Sequence, residues 1–248
     1  MSEPAIQIRP CKTHEEFAAC VEIQQVAWGF NDLDLVPKDI FIVAAKTGGQ
    51  VFGAFDGARQ VGFAIAFPAQ REGRFYLHSH MLAVLPDYRD RGIGRQLKLR
   101  QRADALGRGI KLIEWTFDPL ALKNAHLNLV RLGAIVRRYV RDHYGRTSSP
   151  LHAAVPTDRL VAEWWLDSPR VEAIIHGERP PKPPQGERIG ILRAIDELRH
   201  KDPPAAERVH AETRLAFESL LGKGYAATGF AFDEENGYYL LEPYSDEN

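Results

Sequence analysis

The spacing of apolar positions changes several times along the chain, and each change marks an element. Residues 5–12 read as a short strand, and Thr13 and Glu16 then have the spacing of a capping box. Phe17, Cys20, Val21 and Trp28 follow near helical spacing, so 14–28 is expected to be an amphipathic helix. A second helix is expected to start at Pro37, read as a first helical residue, and to close at Gly48-Gly49. The runs 49–55 and 59–67 read as strands joined at Asp56-Gly57, a tight-turn dipeptide. A third apolar and aromatic run, 74–85, ends at Pro86. Ile93, Leu97, Ala103 and Leu106 predict a helix over 93–107, and 111–117 predicts another strand. Asp118-Pro119 breaks that strand before a helix around 121–132, stopped by Gly133, and 134–144 reads as a strand.

The order up to residue 144 is β-α-α-β-β-β-α-β-α-β. A strand–glycine turn–helix–strand unit demands a parallel pair, whereas the hairpins before it demand antiparallel pairing. Both are met by an α/β fold with a central mixed β-sheet flanked by helices. Beyond residue 147 the texture changes. Residues 160–166 fit either a strand or the start of a helix, and the Pro- and Gly-rich stretch 177–187 reads as a loop or linker, about 177–189 with its flank. Asp202-Pro203 is a helix-start signal, and Val209, Thr213, Phe217, Leu220 and Leu221 form an apolar stripe behind it. Two strands, 224–232 and 238–242, close the chain as a hairpin. The expected organisation is a domain at 1–150 and a C-terminal extension at 151–248 made of a helix and a hairpin.

Composition narrows the class of protein. The 248 residues are 44% hydrophobic and 26% charged, ordinary for a globular chain with a well-buried core. A net charge of −1 gives no electrostatic footprint for nucleic acid or an anionic membrane. The N-terminal residues lack an apolar signal region, and no long apolar run is present, so neither secretion nor membrane spanning is expected. Cys11 and Cys20 are the sole cysteines, which fits a reducing cytoplasm and argues against a thiolate metal site. The nine histidines show no metal-binding spacing, so no metal is expected.

The strongest local signal is the turn that follows the third apolar run. Arg89, Asp90, Arg91, Gly92, Ile93, Gly94 and Arg95 join the end of a strand to the start of a helix. Glycine admits positive φ and close approach of a ligand to the backbone. Free N–H groups and the dipole at a helix N-terminus favour an anion, and arginines add charge-assisted hydrogen bonds. The turn therefore suits a pyrophosphate. Position 97 is Leu, so the G-x-G-x-x-G dinucleotide fingerprint is incomplete, and a Walker A Gly-Lys-Ser/Thr is absent.

This turn resembles motif A of the GNAT superfamily of acyl-CoA-dependent N-acyltransferases, [R/Q]-x-x-G-x-[G/A], with Arg89, Gly92 and Gly94 at the matching positions. The lead-in Ala83-Val84-Leu85-Pro86 and the element order over 5–144 are similar to the family's as well. The run from Trp115 to Trp165 looks like a subgroup of GNAT acyltransferases with a long C-terminal extension. The resemblance implies acetyl-CoA or another acyl-CoA as co-substrate. Leu82, Ala83 and Val84 would meet the pantetheine through their backbone, and residues 89–95 would hold the pyrophosphate. Asn124 would touch the cofactor, with Asn128 the nearer alternative by spacing.

The implied reaction is attack of a neutral amine on the thioester, which needs a route for the amine's proton. His80, with His78 on the same strand face by alternation, carries an imidazole that titrates near neutrality. Glu114 is a carboxylate in an apolar run, where burial would raise its pKa towards that of a useful base. The family's usual tyrosine acid falls at Leu129 here, which leaves Tyr139 or Tyr144, or water, to protonate the thiolate. Kinship points to a small-molecule amine acceptor, extending to free amino acids with acetyl or succinyl donors. A protein acceptor and a non-catalytic acyl-CoA sensor are the alternatives. A homodimer paired through C-terminal strands is a further implication.

Overall fold

The structure, a computed structural model, describes residues 6–29, 34–145, 156–178 and 186–245. These fall into two compact units, residues up to 114 in one and the described residues from 115 onward in the other. The division lies inside a strand, β5.

The first unit holds β1 (Gln7–Pro10), α1 (His14–Trp28), α2 (Lys38–Lys46), β2 (Gln50–Asp56), β3 (Arg59–Arg71), β4 (Arg74–Val84), α3 (Ile93–Gly107) and the start of β5 (Leu112–Phe117). The strands are ordered β1-β2-β3-β4-β5. Pairing is antiparallel from β1 to β4 and parallel between β4 and β5, so the sheet is mixed. The capping box at the start of α1 forms as expected. Glu16 N–H donates to Thr13 Oγ1 (3.3 Å), and Thr13 N–H donates back to Glu16 Oε2 (3.2 Å). Gly29 ends the helix in the left-handed conformation (φ 62°). Pro37 proves to be the N-cap of α2, one position before the helix rather than its first residue. Its extended ψ of 157° explains this, because the residue is still in strand-like conformation.

Alternation along β2 and β3 divides the core in two. Phe17, Cys20, Ile23, Phe41 and Ala44 of α1 and α2 pack on Val51, Phe55, Phe63 and Ile65. Ile93 and Leu97 of α3 pack on Phe52, Ala54, Val61 and Ala64. Val61 would belong with Phe63 by strict alternation. A bulge opposite Ala54 and Phe55, which pair with Gly62 and Gln60, makes Val61 the extra residue and turns it to the α3 side. Strand β3 also runs to Arg71, past the predicted end at Phe67. Glu72 and Gly73, both at positive φ (52° and 76°), make the two-residue turn into β4.

The second unit holds the rest of β5, α4 (Leu122–Ala125) continued as a π-helical turn (His126–Arg131), β6 (Ile135–Val140), β7 (Arg159–Trp165), α5 (Pro169–Ile175), β8 (Glu187–Leu192), α6 (Ile195–Lys201), α7 (Pro203–Gly222), β9 (Tyr225–Phe232) and β10 (Asn236–Pro243). Its strands are ordered β7-β6-β9-β10-β8 with antiparallel pairing at β6–β7, β6–β9, β9–β10 and β8–β10. Residues 160–165 thus resolve as strand, with Leu166 just beyond it. Helix α7 buries Thr213 and Phe217 of the expected stripe together with Ala206 and His210, whereas Val209, Leu220 and Leu221 are half-buried. Asp202 caps α7 by accepting from Ala205 N–H (3.0 Å). Three elements go beyond the expected helix and hairpin, namely α5, β8 and α6. Strand β8 begins at Glu187, within the stretch read as a linker, because Ile189 and Ile191 turn inward while their neighbours face out. Most of that linker, 179–185, lies outside the described residues. No helix among the described residues is long and apolar enough to cross a membrane.

Candidate active site

The turn between β4 and α3 has a bare helix N-terminus. Pro86–Tyr88 form one 3₁₀ turn, closed by Tyr88 N–H to Leu85 O (2.9 Å) and Arg89 N–H to Pro86 O (3.1 Å). Asp90 (φ 59°) and Gly92 (φ 76°) are both in the left-handed region. Gly92 is the N-cap of α3, and no side chain caps that helix or places an acid in its first turn. This contrasts with α1 and α7, whose caps are Thr13 and Asp202. The first N–H groups of a helix have no intrahelical acceptor, so an uncapped N-terminus presents donors outward. A Cβ built on Gly92 would meet nothing within 4 Å, so the space in front of these donors is open.

Behind the turn, Ile93 and Leu97 anchor the helix in the core, and a Cβ on Gly94 would lie 3.4 Å from Leu82. The Arg89 guanidinium is used within the protein. It donates to Val84 O (3.2 Å) and Ala27 O (3.3 Å), tying the turn to the ends of β4 and α1. Arg91 instead lies over the Tyr88 ring (5.1 Å), whose hydroxyl donates to Asp56 Oδ2 (2.7 Å).

Strand β4 carries a second bulge. Ile65 pairs with Met81 and Ala66 with Ser79, which leaves His80 as the extra residue. A bulge bends its strand and interrupts the ladder locally. It also shifts the parity of everything after it. Ser79 faces α3 together with Leu82 and Val84, whereas Met81 and Ala83 join the α1–α2 cluster. Pairing with β5 occurs below the bulge, at Leu77 with Ile113 and His78 with Glu114. Leu82, Ala83 and Val84 keep their partners on the β3 side, Ala64, Phe63 and Gly62.

His78 and Glu114 are therefore neighbours on adjoining strands, with His80 two residues further along β4. The two imidazoles lie 6.1 Å apart, and His80 packs 5.7 Å from Phe67. Glu114 is buried, as its apolar neighbours implied, but it is not alone. Both of its oxygens accept from the Arg71 guanidinium, at 2.9 and 2.5 Å. Arg71 lies on the stretch of β3 beyond Phe67 and also covers the Tyr76 ring (5.1 Å). The expected strand end at Phe67 falls four residues short of this partner. The Glu72-Gly73 dipeptide was the signal that could have revealed the longer hairpin.

Tyr144, Tyr139, Asn124 and Leu129 belong to the second unit. Tyr144 is 43% exposed, with its hydroxyl 3.1 Å from Thr116 Oγ1 on β5 and the Arg159 guanidinium over its ring. Tyr139 donates to Asp158 Oδ2 (2.6 Å), and burial together with that carboxylate pushes its pKa up. That makes Tyr139 a poor proton donor. Asn124 on α4 is exposed, whereas Asn128 is buried in the π-helical turn with its carbonyl accepting from Ala134 N–H (2.9 Å). Leu129 is fully buried. The π-helical turn leaves carbonyls to be satisfied from outside the helix. Trp164 Nε1 takes Leu132 O (2.7 Å), and Arg170 takes Gly133 O (3.2 Å) and Leu129 O (3.4 Å).

A glycine-opened, uncapped helix that follows a bulged strand of a mixed sheet defines a class, and comparison with known proteins agrees with it. Residues 47–128 match the family model of the acetyltransferase (GNAT) domain. That segment therefore carries the sequence pattern of the GNAT acetyltransferases, a family of acyl-CoA-dependent transferases. Its fold is like that of the ribosomal-protein-S18-alanine N-acetyltransferase from Escherichia coli, with 18% identity and a TM-score of 0.53 over 66% of this chain and 96% of that one. YncA of Salmonella typhimurium, solved with its cofactor acetyl-CoA, has 20% identity and a TM-score of 0.53 over 66% and 95%. Arabidopsis thaliana NAA60, solved with a bisubstrate analogue, has 14% identity and a TM-score of 0.51 over 65% and 98%. No curated protein matches the chain.

Glu114 is the carboxylate best placed for a test of proton transfer. If it serves as the base, Glu114→Gln should lower turnover by at least about 100-fold. CoA affinity should stay within about twofold, since the cofactor turn is untouched. Turnover within about threefold of wild type would remove Glu114 from the reaction and leave its pair with Arg71 as structure alone.

Proposed function

We propose that the protein transfers an acetyl or succinyl group from acyl-CoA to the primary amine of a small molecule, with free amino acids among the acceptors. The observation that carries this reading is the uncapped, glycine-opened N-terminus of α3 directly after β4. The proposed cofactor set is Leu82, Ala83 and Val84 along the strand, Arg89 to Arg95 around the turn, and Asn124. Backbone amides of the turn would receive the pyrophosphate, while the Arg89 side chain holds the turn in shape. His80 and Glu114 are the proposed groups for the amine's proton, and Tyr144 is the proposed donor to the departing thiolate. In the balanced reaction the amine nitrogen bonds to the acyl carbon, the carbon–sulfur bond breaks, and the amine's proton is transferred while the thiolate is protonated.

The catalytic domain is proposed to comprise 1–150, with 151–248 as a C-terminal extension. The proposal includes a cytoplasmic setting, supported by the free, buried thiols of Cys11 and Cys20, and a homodimer. A protein acceptor is the second reading, supported by the fold likeness to an enzyme that acetylates a ribosomal protein. Buried Leu129 at the usual tyrosine position supports a third, a non-catalytic acyl-CoA sensor.

Thiol release from acetyl-CoA and succinyl-CoA against a panel of free amino acids and simple amines separates these readings. Acceptor-dependent release, lost in an Arg89→Ala/Gly92→Trp double variant, is the expected result. CoA binding by calorimetry without release from any pairing would overturn the small-molecule transferase. Absence of both binding and release would remove the acyl-CoA reading altogether.

A further inference from the structure

The interface between α3 and the sheet is apolar near the turn, but one helical turn further along it becomes a seam of buried polar groups. Lys98 Nζ donates to Ser79 Oγ (2.8 Å), and Ser79 Oγ donates to Gln101 Oε1 (3.1 Å). Gln50 Nε2, on β2, donates to Gln101 O and to Asp104 Oδ2, both at 2.9 Å. Lys98, Ser79, Gln101 and Gln50 are all at most 4% exposed. Burial alone lowers the Lys98 pKa well below that of an ordinary lysine. Among the described residues Gln101 Nε2 and Gln50 Oε1 lack a hydrogen-bond partner, so the seam carries a desolvation cost that an apolar interface would avoid. Leucine or methionine at these positions would fill an α3–sheet contact with no such cost.

The seam also has a specific place. Ser79 is the residue immediately before the bulge residue His80, and Lys98 and Gln101 are one and two turns into the helix that begins at Ile93. A bulge can migrate or pair out unless something fixes its register. Apolar contacts from Leu82 and Val84 to α3 are non-directional and would tolerate a one-residue slip better than a pair of directed hydrogen bonds.

We propose that the buried Lys98–Ser79–Gln101 chain is a positioning device that locks the β4 bulge at His80 to α3, holding the cofactor strand and the pyrophosphate turn in one fixed geometry. The three residues act through the strand and touch neither substrate nor cofactor. This rests on the acyl-CoA reading of the same turn for its kinetic consequence, but the register lock itself is a property of the free protein. Ser79→Ala removes the central hydroxyl at almost no change in volume, and Lys98→Met removes the amine while keeping the length of the side chain.

Two measurements test the proposal. The first is amide hydrogen exchange at residues 80–84 in the free protein. Ser79→Ala should raise the exchange rate there by about tenfold relative to the β2–β3 amides, and Lys98→Met should do the same. The second is kinetics with acetyl-CoA. Each variant should raise KM for acetyl-CoA by about tenfold with a smaller change in kcat, and the double variant should be little worse than either single one. Ser79→Thr, which keeps the hydroxyl, should recover most of the affinity. Unchanged exchange at 80–84 in both variants would overturn the lock. A drop in Tm with KM unchanged would also overturn it, leaving the seam as ordinary stability. Failure of the wild type to bind CoA would defeat the acyl-CoA reading instead, and the exchange measurement would then decide the lock by itself.

Discussion

Replacing Gly92 by valine is expected to weaken CoA binding about 100-fold while leaving the protein folded. Gly92 has φ 76°, which costs an L-residue about 1–2 kcal/mol and a β-branched one more. The new side chain would enter space that is empty in front of the helix N-terminus. Together these effects amount to about 2–3 kcal/mol, and each 1.4 kcal/mol is about tenfold in affinity. Gly92→Asn separates the two contributions, because asparagine tolerates the left-handed region. It should bind CoA more tightly than the valine variant and less tightly than wild type. Calorimetry with CoA reads both. Binding by the valine variant within about threefold of wild type would mean that the pyrophosphate does not sit on these amides.

The second large effect concerns stability, and it belongs to the other unit. Asp158 is buried and accepts from Arg214 Nε (2.6 Å), Arg214 NH2 (3.0 Å), Tyr139 OH (2.6 Å) and Asp142 N–H (2.9 Å). It ties α7 to β6 and to the start of β7. Asp158→Ala would leave a guanidinium, a phenol and a backbone amide without their acceptor, at a cost of about 3 kcal/mol. For a chain of this size that corresponds to a fall in Tm of roughly 6–12 °C.

The effect should depend on pH in a defined direction. Burial alone would raise the Asp158 pKa, but the hydrogen bonds from Arg214 and Tyr139 outweigh it and hold the pKa below the ordinary carboxylate value. A depressed folded pKa gives stability that is fully present above the unfolded value, about 4, and is lost as pH falls through the folded one. The Tm gap between wild type and Asp158→Ala should therefore be constant near neutrality and shrink below about pH 4. A gap of under about 2 °C at neutral pH would show that water replaces the carboxylate at no cost.

Much of the fold was legible in the sequence because its signals are short-ranged. The capping box at Thr13 and Glu16, the Asp202-Pro203 helix start, the Asp56-Gly57 turn and the Gly92 N-cap all lie within four residues of the groups they govern. The same holds for the alternation that separates Phe52 and Ala54 from Val51 and Phe55 on β2. The elements missed, α5, β8 and α6, are six or seven residues long. Runs that short offer too few periodic positions to stand out from a loop.

The candidate site divides along the same line. By itself the sequence determined that a strand ends, that glycines open a helix whose N-terminus carries no acid, and that histidines and a carboxylate lie on the strands nearby. Tertiary structure decided what those side chains do. It made His80 a bulge residue, gave Glu114 to Arg71 across 43 positions of chain, and turned Arg89 back onto the carbonyls of Val84 and Ala27. It also set the Lys98–Ser79–Gln101 seam between a strand and a helix. Caps and turns are settled by dihedral preferences and hydrogen bonds among neighbours in the chain. Bulges and buried pairs follow from the register in which distant strands meet, and no local pattern encodes that register.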